Sequence, residues 1–172
     1  MVTASLPASG FSRARSVLSV IFGTRPAALL TDLGLVAARI GLAWIFIYYG
    51  SQKLFGWFNG LGIHGTALYF SNTAHLHPGG FFAVLGGVTE LGGGIAIALG
   101  LGTRLVGLAL FVDMVMAMIT VTWSTGIASQ SAPPGYQINL ALAVLAILVA
   151  ASGAGRFSAD ALIGPHIAAM KE

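Results

Sequence analysis

The sequence predicts an all-α integral membrane protein, a bundle of four transmembrane helices with both termini in the cytoplasm. Composition is the first reason: 56% of the 172 residues are hydrophobic and only 8% are charged, with mean hydropathy +0.89. Soluble domains carry about a quarter charged residues. The second reason is run length, because several apolar runs approach or exceed the ~18–20 residues that cross a bilayer. The third is where the basic residues fall. A soluble enzyme, a nucleic-acid binder and a disordered chain are excluded as the main body. The net charge of +3 belongs to topology, since most of the eight Lys and Arg lie near span ends.

Residues 1–31 mix Ser, Ala and Arg around a short apolar stretch, Val17 to Phe22, flanked by Arg13, Arg15 and Arg25. This reads as a cytoplasmic tail with an interfacial helix on an anionic leaflet. Residues 32–162 form the membrane domain, and 163–172 a cytoplasmic C-terminal tail. The expected spans are Leu33–Phe55, Phe81–Leu101, Leu105–Trp123 and Tyr136–Ala151. Polar loops at 56–80 and 124–135 join them on one side and contain no Lys or Arg. Arg104, Arg156 and Lys171 fall on the other side with the N-terminal arginines, which places both termini inside. Tyr48, Tyr49, Trp57, Tyr69, Trp123 and Tyr136 gather near the outer boundary as an aromatic belt.

Four charges lie within these runs: Arg39, Lys53, Glu90 and Asp113. Unpaired, they would together cost on the order of 10 kcal/mol, so they are expected to neutralise one another. Arg39 and Lys53 share a helical stripe with Phe46, and Arg39 is expected to pair with Glu90 or Asp113. Glu90 is framed by Gly86, Gly87, Gly93 and Gly94, small residues that admit a neighbouring backbone. Asp113 lies between Ala109 and Ala117, and Asn139 heads a stripe of Ala143, Ala146 and Ala150. One reading makes the cluster a register-fixing ion pair. The other makes it a site that handles protons or binds a polar headgroup, as intramembrane ionisable groups generally do.

Other chemistries find little support. With no cysteine in the chain, iron–sulfur ligation and thiolate catalysis are excluded. His64, His75 and His77 sit in a Pro/Gly-rich loop without a neighbouring carboxylate, so no metal is expected. No His falls within an expected span, which argues against haem. Gly92-Gly93-Gly94 does not join a strand to a helix, so no dinucleotide loop is implied.

Three segments carry a resemblance to a known family: Arg39-x9-Tyr49-Gly50-x2-Lys53-Leu54, Glu90-Leu91-Gly92-Gly93, and Leu99-Gly100-x-Gly102-Thr103-Arg104. With the closing Gly153-x-Gly155-Arg156-Phe157-Ser158-x-Asp160, they resemble the DoxX family over roughly residues 33–162. The resemblance implies a four-helix inner-membrane protein linked to redox and respiratory complexes. Arg39, Lys53 and Glu90 match the family's recurring polar positions, whereas Asp113 matches less clearly.

A membrane subunit of an oxidoreductase is therefore the leading expectation. A quinone is the candidate ligand, in a slot lined by Phe46, Tyr49 and Trp57, with Lys53 or Glu90 as polar contact. No redox centre is expected on this chain, so electrons would come from other subunits of the complex. The alternatives are a non-catalytic accessory or assembly subunit, and a small transporter of protons, lipids or a solute acting as a homo-oligomer.

Overall fold

The computed structural model describes residues 28–128, 130 and 134–163. The expected interfacial helix and most of both tails lie outside them. Every regular element among the described residues is helical: α1 Ala28–Phe55, α2 Gly62–Asn72, α3 Gly79–Leu99, α4 Thr103–Ala117 and α5 Gln137–Ser152. A π-helical turn, Met118–Thr122, and a 3-10 turn, Trp123–Thr125, prolong α4.

Two boundaries differ from expectation. Residues 28–31, assigned to the tail, already belong to α1. Asp32 in its early turns is buried and accepts a hydrogen bond from the Arg156 backbone N–H at 3.2 Å, which ties this end down. The supposed loop 56–80 contains α2, set off by Gly56 and Gly62 at φ 71° and 65°. Only Thr66 of α2 is buried, and the helix opens with Gly62 and Gly65 in a stretch that also holds Gly56 and Gly60, residues that read as a loop.

Exposure is inverted relative to a soluble protein. Trp44 and Leu105 are each 78% exposed, and large apolar side chains cover the outside of every long helix. Arg39, Ser51, Glu90, Thr103 and Thr122 are instead buried. In water such a surface would be an aggregation hazard; against lipid tails it is the expected face. Helices α1, α3 and α4 with its continuation are long and apolar enough to cross a membrane, and α5, with 16 residues, is apolar but shorter. The described residues form an all-helical membrane domain.

The core joins Leu42 and Phe46 of α1, Ile97 of α3, Leu110 and Met114 of α4, and Leu142, Ala146 and Val149 of α5. Antiparallel α1 and α3 approach closely along their length. A methyl group on Gly50 would strike the backbone of Leu91, one on Gly87 would lie 2.6 Å from Leu54, and one on Gly94 2.9 Å from Ile47. Small residues at these crossings let the backbones meet, as is usual for helices packed in a membrane. The facing pairs Gly50–Leu91, Ile47–Gly94 and Arg39–Ile97 fix the register of the two helices.

Candidate functional site

That register separates the two basic residues of α1. Fourteen residues apart, Arg39 and Lys53 lie about 21 Å apart along the helix axis. Arg39 reaches neither acid expected to pair with it. Its guanidinium donates to the carbonyl oxygens of Ile97 at 2.9 Å, Ala98 at 2.8 Å, Ala154 at 2.7 Å and Phe157 at 2.8 Å. The first two belong to the last turn of α3, where the helix dipole is negative and carbonyls run short of i+4 donors, although Ile97 O also accepts the Gly100 N–H at 3.0 Å. Glu90 lies nearly two turns away on the same helix, level with Lys53 instead.

The rest of this end is stitched in the same manner. The Asp160 carboxylate accepts from the Gly102 N–H at 2.7 Å and the Thr103 N–H at 3.0 Å, capping α4 from a remote segment. Desolvation pushes the Asp160 carboxyl up, but these two backbone donors and the Arg39 charge outweigh it and hold it below the usual carboxylate range. Arg104 donates to Ala151 O at 2.9 Å, at the end of α5. Two of the motif segments that carry the family resemblance thus meet around Arg39. Their work is to close helix ends.

At the other end lies a cavity of about 810 Å³. Lys53 Nζ and Glu90 Oε2 form an ion pair at 2.6 Å on its wall, with side chains 24% and 5% exposed. The Lys53 ammonium also stands 5.8 Å from the Tyr49 ring centroid. Asp113 lines the cavity too, but its Oδ2 is closed off from solvent and accepts no hydrogen bond. Gly86 faces it: a methyl group there would sit 3.8 Å from Asp113 Oδ1. Gln52, Thr89 and Asn139 add to the polar lining, while Phe46, Tyr49, Tyr69, Phe70 and Phe82 form apolar walls.

Of the residues singled out from sequence, the fold brings Phe46, Tyr49, Lys53, Glu90 and Asp113 to one cavity. Arg39 and Trp57 are not among them. Trp57 lies 58% exposed against Phe55, its ring centroid 5.0 Å away, because the left-handed Gly56 turns the chain off α1 just before it. Sequence reasoning missed the contribution of α2, whose Thr66, Tyr69 and Phe70 cover the cavity. It also missed the π turn, which brings Thr120, Val121 and Thr122 to the lining. Such turns often mark functional positions in helices, yet no residue pattern announces one. Among the described residues no group of His, Asp or Glu is placed to hold a metal ion.

A family model described as DoxX matches residues 34–123, more than half of the chain. The match runs from α1 through the π turn and ends before α5, so it is shorter than the 33–162 resemblance and omits the closing segment with Asp160. No curated protein and no solved structure matches the chain.

Proposed function

Because the chain belongs to the DoxX family, and because it keeps a large, mostly apolar cavity beside a buried ion pair, we propose that it is a quinone-binding membrane subunit of an oxidoreductase complex. The observation that carries this reading is the cavity itself. Its volume of about 810 Å³ lies within the ~300–1,000 Å³ of small-molecule sites. Its aromatic walls suit a flat ring, and Lys53, Gln52 and Asn139 offer donors to carbonyl oxygens. Glu90 orients the Lys53 ammonium and, with Asp113, can hold or pass a proton at the ligand's oxygen. A quinone would supply two-electron redox chemistry; with no cysteine in the chain, the electrons come from a partner subunit. We further propose four spans in the inner membrane, α5 being the short one, with both termini cytoplasmic.

Mild extraction from native membranes, followed by measurement of bound quinone and of stoichiometric companions, tests this. The wild type should retain about one quinone per site and a redox partner. Lys53→Met leaves the Glu90 carboxylate buried without its cation and should cost roughly 3–5 kcal/mol of stability. The double variant Lys53→Met, Glu90→Met removes both charges and should regain most of that stability while losing the quinone. A stable double variant with undiminished quinone would rule out this site. Companions without quinone would favour a non-catalytic accessory role, and recovery as a lone oligomer would favour transport.

A further inference from the structure

Resting on the quinone-site reading, we propose that the ligand enters sideways from the bilayer, through a slot between α3 and α4, and that its apolar tail stays in this slot along α4. The seams of the bundle differ in tightness. Between α1 and α3 a methyl group on Gly50 would strike the Leu91 backbone, and between α4 and α5 one on Gly107 would lie 3.0 Å from Ala146 O. Between α3 and α4 the spacing changes along the seam. A methyl group on Gly93 would lie 2.9 Å from Leu110 Cδ2. Two turns earlier on α3, about 10 Å along the axis, one on Gly86 would meet, among the described residues, only Asp113 Oδ1, at 3.8 Å. The two helices are sealed at Gly93 and parted at Gly86.

Through that gap the cavity reaches the lipid face. Its lining includes the buried Phe46, Glu90 and Met114, and also Leu85, Leu108 and Val112, each about half exposed. Leu105, Leu108, Val112 and Met116 recur every three or four residues, so they form one exposed stripe of α4. From Leu105 to Thr120 the lined face of α4 extends over about 22 Å. One continuous space therefore joins the ion pair to the hydrocarbon around the bundle. Because the seam closes at Gly93, a tail runs on the lipid side of α4 toward Leu105, not through the core.

Polarity is divided along this space. Gln52 and Lys53 belong to the last turn of α1 and Asn139 to the first turn of α5, so these donors meet at one end of the bundle. Residues 105–112 carry no hydrogen-bonding side chain. A water-soluble ligand would have to shed its hydration in hydrocarbon to use the opening, whereas a lipophile dissolved in the bilayer has none to lose. The matching ligand is an amphiphile: a head that takes hydrogen bonds at the Lys53 end, and a long flexible tail that fills the slot.

The test uses the purified protein in phosphatidylcholine nanodiscs and a decyl-substituted benzoquinone with a diazirine at the tip of its tail. After irradiation, peptide mass spectrometry maps the adducts. They should fall on residues 105–116 of α4, and excess unmodified decyl-benzoquinone should reduce them by about tenfold. Ala109→Trp, which fills the slot from an exposed position of α4, should slow this competed labelling about tenfold while leaving thermal unfolding unchanged. Competed adducts on α2 or on residues 134–139 instead, or undiminished labelling in a stable Ala109→Trp, would overturn the slot and leave the quinone cavity standing. If excess quinone reduces no adduct anywhere, the quinone reading itself falls, and the slot with it. The wild-type map decides the matter even if the variant folds poorly.

Discussion

Arg39 and Lys53 occupy the same stripe of α1, yet the fold gives them opposite tasks. Arg39 uses its planar fork on four carbonyl oxygens drawn from two segments. A lysine has the same charge, but its single ammonium cannot span that set. Arg39→Lys should therefore lower stability by about 2–4 kcal/mol, since buried carbonyls are left without donors. Thermal unfolding in detergent checks this, and under the proposed function the quinone content per folded molecule should stay close to wild type. An equally stable lysine variant would show that the carbonyls find other donors. The sequence marked Arg39 as a costly intramembrane charge that needed compensation. It left open what compensates it, because a helix's terminal carbonyls are invisible in a list of side chains and an acid is the obvious partner.

Among the elements, α4 begins with Gly102 in the left-handed region at φ 57° and no side-chain cap of its own. Asp160 supplies the cap from beyond α5. Its carboxyl is held below the ordinary value, so its contribution is fully present above the unfolded pKa of about 3.9 and fades as the pH falls through the lower native value. Asp160→Asn should cost about 1 kcal/mol at neutral pH and should flatten the acid limb of stability against pH. A variant whose acid limb matched the wild type would assign that limb to another group. The glycines of α3 were readable as a packing face, and the structure puts Gly87 and Gly94 against α1 as that reading requires. By contrast, α2 was not readable. An eleven-residue helix that begins with Gly62 and Gly65, between Gly56 and Gly60 on one side and Pro78 on the other, is punctuated like a loop.

For the whole molecule, the proposed topology in the bilayer can be read by chemical labelling. The cysteine-free sequence gives a clean background for labelling exposed positions. With four spans and both termini inside, Asn72→Cys and Ala128→Cys should react with an impermeant maleimide on intact cells, whereas Arg156→Cys should react only after the membrane is broken. Labelling of Arg156→Cys on intact cells would mean an odd number of spans separates it from the termini assumed here, and α5 would not cross.

By itself the sequence determined the class of protein, the extent of the long helices to within a few residues, and the small set of polar groups that had to be accounted for inside the membrane. Those follow from local quantities: hydropathy, run length, and the cost of a charge in hydrocarbon. Only the tertiary structure decided the partners. The α1–α3 register sent Arg39 to helix ends and Lys53 to Glu90, the turn at Gly56 took Trp57 out of the cavity, and α2 closed over it. Partner choice depends on which antiparallel register lets the glycines interlock, and that is a property of two surfaces meeting, which neither helix carries alone.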